Sequence, residues 1–203
     1  MDSIEKIRSI VKEAMGEMDH DYLHVLRVEA LALTIAGSFP QARLTILRLG
    51  ALLHDIGRKS SGSTHEDHAT IGARMAEEIL KGLEMDSETI DAVCGMIRTH
   101  RYRKGPAPVS LEEKILYDAD KIDALGAYGI VRTIAYALKD SQPMHMDLTK
   151  AKKQGLHPAN REYHEKLIHL PELLYLEPSK ALALGRMQLM EDFFTGLARE
   201  TIV

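Results

Sequence analysis

The sequence predicts an all-α protein, one domain built as a bundle of about seven to nine helices. Three observations predict it. Apolar residues recur at helical spacing nearly throughout, and no segment alternates with the period of a half-buried strand. Aromatic residues are only 5% of the chain and Trp is absent, so the core must come from Leu, Ile, Ala, Val and ten Met. That palette favours helices over sheets. A hydrophobic content of 45% over 203 residues supports one real core. No internal repeat, low-complexity tract or linker divides the chain. A single domain is therefore expected over residues 1–203, with its core at about 20–138 and C-terminal helices at about 160–201 packed on it.

The elements follow in order. Ser3 can cap a first helix that carries Ile4, Ile7, Ile10, Val11 and Ala14 and stops at Gly16. A second helix runs from about Asp21 to Ala36, ended by Gly37 and Pro40. A third covers about Ala42 to Ile56 and ends at Gly57. Arg58 to Thr64 reads as a polar loop. A fourth helix spans about His65 to Leu80, and Ser87 caps a fifth that ends near His100. Arg101 to Pro108 is a basic loop rich in Pro and Gly. Ser110, with Glu113 three residues on, forms a capping-box pattern for a long sixth helix reaching Leu138, with a break at Gly126 and Gly129. Residues 139–159 turn polar and suggest a surface excursion with the character of a lid. Two further helices are expected at Arg161–Ile168 and Ser179–Thr201.

Bulk charge excludes some classes of function. The net charge is −4 and the pI about 6.2. No global basic field exists to hold an extended nucleic acid, whereas a small phosphorylated ligand needs only a local group of cations. The one cysteine, Cys94, lies among Val93, Met96 and Ile97 and reads as a small core residue. The N-terminal residues lack the apolar core of a signal peptide, and no apolar run approaches the roughly 20 residues of a membrane span. A cytoplasmic protein without membrane partners is expected. Long exposed helices are compatible with a homodimer.

Four residues carry the chemistry. His24 shares a face with Val28, Leu31 and Ile35, and is the polar member of an apolar stripe. His54 shares a face with Leu44, Leu47 and Ala51. Asp55 follows it, and the pair can reach one point if that point lies beside the helix end at Gly57. Asp120 lies on a stripe with Leu116 and Ala124. A common reason for four such groups is a shared divalent cation. Two imidazoles and two carboxylates suit Mn, Fe, Co, Ni, Zn or, less comfortably, Mg. From spacing alone, hydrogen-bonded core histidines and capping or ion-paired aspartates remain an equal alternative.

Three ordered blocks carry a resemblance. His20 to Val28 reads HDYLHVLRV, Leu52 to Gly57 reads LLHDIG, and Tyr117 to Arg132 reads YDADKIDALGAYGIVR. Together they resemble the HD-domain superfamily of metal-dependent phosphohydrolases. The tail from Tyr163 to Phe194 is similar to that of the short all-helical bacterial members, some of which split nucleoside triphosphates into monophosphate and pyrophosphate. The resemblance implies an HD-type bundle with His24, His54, Asp55 and Asp120 as metal ligands. It further implies a metal-bound hydroxide attacking a phosphate ester or pyrophosphate bond, of a nucleotide by preference. Asp55 is then the ligand that contacts or orients the nucleophilic water.

Further residues follow from the same resemblance. In two-metal relatives, extra histidines hold a second ion. His68 and His100 could do so here with Asp55 as bridge, or could contact substrate phosphate, which is the preferred expectation; His65 is a weaker candidate. His20, four residues before His24, has chelating spacing but reads better as a helix-start residue. Lys121 and Arg27, which adjoin a ligand helix face, are the better candidates to neutralise phosphoryl charge, and Arg58, just past the His-Asp turn, is a further one. Arg101, Arg103 and Lys104 read chiefly as solvated surface. Asp123 is expected to hold Lys121 or Arg27, or to form a structural ion pair. Arg58 stands where some HD nucleotidases and the guanosine tetraphosphate hydrolases carry acids, which argues against that alarmone as substrate. No G-Y-P tripeptide is present, which disfavours the cyclic-dinucleotide branch. Two rival readings remain at this level: a ligand-sensing HD domain without turnover, and a di-iron HD oxygenase.

Overall fold

The computed structural model describes residues 3–15, 22–61, 66–101 and 105–201. These residues form α-helices and one 3-10 helix, with no strand among them. They fall into two compact units, residues 1–120 and 121–203.

The first unit holds α1 (Ser3–Met15), α2 (Tyr22–Ala36), α3 (Leu44–Leu53), α4 (Arg58–Ser61), α5 (His68–Gly82), α6 (Ser87–Thr99) and most of α7 (Leu111–Asp123). Helix α3 is its centre and packs against α1, α2 and α6, while α5 and α6 form an antiparallel pair. Many of the apolar side chains predicted for these faces are core, Ile7, Val28, Leu47 and Leu116 being essentially inaccessible to solvent along with Leu52, Leu80, Met96 and Ile97, whereas Leu44, expected on the stripe with His54, is 50% exposed and Ala14 is exposed. Cys94 is buried with them, and burial pushes its thiol up from the ordinary value, as expected of an inert core residue.

One buried charge ties three of the helices together. Glu29 on α2 is 3% exposed. It accepts 2.7 Å from Arg8 Nη2 on α1 and 2.9 Å from Arg48 Nε on α3. Both oxygens therefore meet a guanidinium, which is what makes a carboxylate tolerable inside the bundle.

Several helix boundaries differ from the sequence expectation, each for a local reason. The polar loop expected after Gly57 begins with one helical turn, α4. Helix α5 starts at His68 rather than His65, because Asp67 is its N-cap and accepts 3.2 Å from Ala69 N. Asp86, not Ser87, caps α6, with Asp86 Oδ1 accepting 2.8 Å from Thr89 N. The Ser110–Glu113 capping box is present: Glu113 N donates 3.2 Å to Ser110 Oγ, and Ser110 N donates 3.0 Å to Glu113 Oε2.

The long sixth helix is interrupted where the glycines suggested. In the second unit α7 ends at Asp123, and α8 (Gly126–Lys139) begins on Gly126 at φ +77°, a conformation that favours glycine. Arg186 seals the break by donating 2.8 Å to the Ile122 carbonyl. The polar stretch 139–159 holds α9 (Leu148–Gln154). It is pinned at Asn160, which donates 2.9 Å to Met146 O and accepts 3.2 Å from Met146 N. Then come α10 (Ala159–Glu165), the 3-10 helix (Leu167–Leu173) and α11 (Glu177–Glu200), the last packed on α8. Tyr163 stacks on Phe194 with ring centroids 4.5 Å apart. The short helices α4 and α9, in segments read as polar from the sequence, are additions to the expected bundle.

Arg43 and Glu112 give a testable joint within the first unit. Glu112 is buried and accepts from Arg43 N at 2.9 Å and Nε at 3.3 Å, so it holds the start of α3. Burial pushes its carboxyl up, but the Arg43 side chain and backbone donors outweigh that and hold it below 4.5. Glu112→Gln should lower stability at pH 7 by about 1–3 kcal/mol in urea titrations. A depressed carboxylate stabilises above its unfolded pKa. The gap from wild type should therefore close as pH falls below 4.5 and through the folded value.

Candidate metal centre

The site is built at helix ends within the first unit. His54 caps α3 in an αR conformation, and the chain continues through Asp55 and Ile56 in a turn. This resolves how two adjacent residues face one point: they sit where the helix is unwinding. Gly57 is required there by close approach rather than by its dihedral angle. A Cβ on it would lie 2.5 Å from Gly72 N and 2.9 Å from Gly72 Cα, and against the His68 carbonyl. The backbone of α5 thus rests directly on the turn that carries His54 and Asp55.

Two clusters meet at Asp55. On one side are His24, His54 and Asp120. His24 Nε2 lies 3.3 Å from Asp120 Oδ1 and 3.3 Å from His54 Nε2. Asp55 Oδ2 lies 3.7 Å from His24 Nε2 and 3.6 Å from His54 Nε2. On the other side are His68 and His100, whose Nε2 atoms are 3.4 Å apart and stand 3.6 and 3.5 Å from Asp55 Oδ1. Each oxygen of one carboxylate faces its own pair of imidazoles.

The proton positions say what such an arrangement can hold. His54 Nδ1 donates 2.8 Å to the Ala51 carbonyl, and His100 Nδ1 donates 2.6 Å to the Ile97 carbonyl. In a neutral imidazole this leaves Nε2 with a lone pair. His54 is neutral at pH 7, because burial pushes it down to about 4. Burial also lowers His68. Asp55 is ionised: burial pushes it up, but His54, His100 and Arg58 outweigh that and hold it well below the usual carboxylate range. At His54 a lone pair therefore faces an anionic oxygen, and the imidazole nitrogens of His68 and His100 face the other. Asp55 Oδ1 is buried and makes no hydrogen bond among the described residues. An orphaned buried carboxylate oxygen between two imidazole nitrogens fits a cation, and the mixed N/O donors suit a divalent transition metal.

Arg58 is the permanent positive charge beside the clusters. Its Nη2 lies 2.8 Å from Asp55 Oδ2, and its side chain is 41% exposed. Asp120 and His68 retain 19 and 18% side-chain exposure, whereas Asp55 retains 1%. Water and ligand can approach past those two partly open residues.

The structure thus brings together His24, His54, Asp55, His68, His100, Arg58 and Asp120. Lys121 and Asp123 are buried at the end of α7 and belong to the second unit. Arg27 is half-buried on α2. His20, Asp21, His65, Arg103 and Lys104 lie outside the described residues. Sequence reasoning passed over Asp67, whose place just before α5 is a helix-start signal, and gave Arg101 no partner. It also did not foresee a cavity of about 300 Å³ in the second unit, whose lining includes Arg132, Thr133, Tyr136, His157, Glu162 and Lys166.

Comparison with known proteins bears on the family and the fold. The family model of the HD domain matches residues 21–125, and the chain belongs to that family. It is 27% identical over 206 residues to the protein YpgQ of Bacillus subtilis, covering 97% of this chain and 92% of YpgQ. The crystal structure of YpgQ in complex with ADP matches with a TM-score of 0.78 at 25% identity, over 98% of this chain and 95% of that one. An HD-superfamily hydrolase from Bacillus thuringiensis matches at 0.75 and 29%, over 97 and 95%. Hydrolysis is the class of activity that this kinship supports. Among the described residues, no helix is long and apolar enough to cross a membrane.

The contact at Gly57 predicts a sensitive position. Gly57→Ala should cost about 1–3 kcal/mol of stability, because backbone and not a flexible side chain must move. It should also weaken divalent-cation binding measured by calorimetry. Gly82→Ala, where a Cβ meets nothing within 4 Å, should change neither.

Proposed function

We propose that the protein is a metal-dependent phosphohydrolase acting on a small phosphorylated substrate, of which a nucleotide is the favoured class. The observation that carries this reading is the Asp55 carboxylate, with one oxygen toward each histidine pair. His24, His54, Asp120 and Asp55 Oδ2 would hold one divalent cation, and His68, His100 and Asp55 Oδ1 a second. A second ion is favoured over direct phosphate contact. To donate to phosphate, His100 Nε2 would need a second proton on a buried ring whose Nδ1–H is already committed to Ile97. Bound divalent ions lower the pKa of water and polarise phosphoryl oxygens, which supplies a nucleophile near neutral pH.

The chain's own residues do the rest. Asp55, fully ionised and locked in the α3 turn, can orient a water and accept its proton hydrogen bond. Arg58 pairs with Asp55 and its side chain is 41% exposed, so its guanidinium stands beside the clusters as a positive charge that can meet a phosphoryl oxygen as negative charge develops. Lys121 is assigned charge neutralisation from its place after Asp120 alone. The ADP held by YpgQ supports the choice of nucleotide.

Equilibrium dialysis against Mn²⁺ should give two ions per chain for wild type and one for His100→Ala. A panel of nucleoside mono-, di- and triphosphates and simple phosphate esters, supplied with Mn²⁺, Co²⁺, Ni²⁺ or Mg²⁺, should reveal turnover with product identification. Asp55→Ala should lower kcat by at least about a thousandfold with the fold intact by circular dichroism. Retained activity in that variant, or two bound irons with no ester cleaved, would refute the proposal.

A further inference from the structure

Asp67 and Arg101 flank the second histidine pair in the chain, one just before His68 and the other just after His100. Arg101 Nη1 lies 2.5 Å from Asp67 Oδ1, and the two side chains are 28 and 32% exposed. Asp67 Oδ1 also accepts from Ala69 N, which fixes its position over the first turn of α5, and stands 3.6 Å from His68 Nδ1. His68 opens α5 and His100 closes α6, so this ion pair crosses between the same two helix ends that carry the imidazoles.

We propose that the Asp67–Arg101 pair is a strap that sets the spacing of His68 and His100, and so makes both residues positioning residues for the second cation. The inference rests on the reading of His68, His100 and Asp55 as a cation site. The physical case is geometric. The two histidines sit on separate helices, and Nε2 atoms 3.4 Å apart can share an ion only if those helix ends keep their separation. Core packing fixes the middle of the α5–α6 pair. Near its end, the strap is a link whose two anchors are the immediate chain neighbours of the ligands. A carboxylate beside the second ring nitrogen of a ligating histidine also favours the tautomer that leaves Nε2 for the cation. A half-exposed ion pair contributes little to global stability, so its role can be separated from folding.

The test uses the full chain and Mn²⁺ or Co²⁺ alone. Asn caps a helix as well as Asp does, so Asp67→Asn keeps the start of α5 and removes the charge that holds Arg101. Asp67→Asn and Arg101→Gln should each keep the Tm and the affinity of the first ion, and weaken the second ion about tenfold or more in calorimetry. The double variant should be no weaker than either single one, because both remove the same pair. Arg101→Lys should restore part of the loss. In the Co²⁺-loaded protein, the visible absorption from the second ion should change in Asp67→Asn, a signal that a merely structural role would not move. Wild-type second-ion affinity in both single variants, with that ion lost in His100→Ala, overturns the strap and leaves the cation site standing. Two ions still bound in both His68→Ala and His100→Ala overturns the cation reading itself, and the strap with it.

Discussion

The first unit is organised around one electrostatic constraint: a buried carboxylate faced on both sides by imidazole nitrogens. Asp55 is almost inaccessible, and removing an ionised group from water costs several kcal/mol unless positive charge or donors compensate. The His54 ring beside it is neutral and offers electron density instead of a proton. Arg58 supplies one positive charge from the solvent side. The remaining demand for positive charge is local, symmetrical about the carboxylate and directed along the imidazole Nε2 vectors. On the proposed reading, divalent cations would answer that demand and account for so polar a cluster inside a helical unit.

The scaffold around the cluster is correspondingly stiff. Glu29 takes a guanidinium on each oxygen and joins α1, α2 and α3. Glu112 holds the first turn of α3 through Arg43. The absent side chain at Gly57 lets α5 lie on the turn that follows α3. The Gly57 contact lies at the helix end that carries His54 and Asp55, whereas the Glu29 and Glu112 contacts brace the same helices farther back. The second unit has its own core and a cavity of small-ligand size, lined in part by the His157–Glu162–Lys166 ion-pair group.

Much of this was legible in the chain, for a specific reason. His24, His54 and Asp120 stand out because each breaks an apolar stripe, and burial makes such a break costly. Asp55 was legible only by its neighbour and by Gly57, since adjacent helical residues diverge and only the unwound turn lets both converge. The capping box at Ser110 was visible because its two hydrogen bonds are local. Contacts that join distant segments were not. Glu29 reads as one more charge on a helix until Arg8 and Arg48 are seen beside it. Asp67 reads as one more polar residue in the first turn of a helix, and Arg101 as a solvated loop residue, because their meaning lies in a partner 34 positions away. Whether His68 and His100 face an ion or a phosphate turns on which ring nitrogen carries the proton, which a residue type does not encode.

The support behind His54 and His100 comes from main-chain carbonyls, those of Ala51 and Ile97, three residues earlier on the same helices. In many metalloproteins that duty falls to a second side chain, which mutation can delete. Here the supporting oxygen exists whatever residue occupies positions 51 and 97, so substitution at either place leaves the acceptor intact as long as the helix forms. The alignment of these two rings is inherited from helical geometry itself, and drift in the surrounding sequence has little purchase on it.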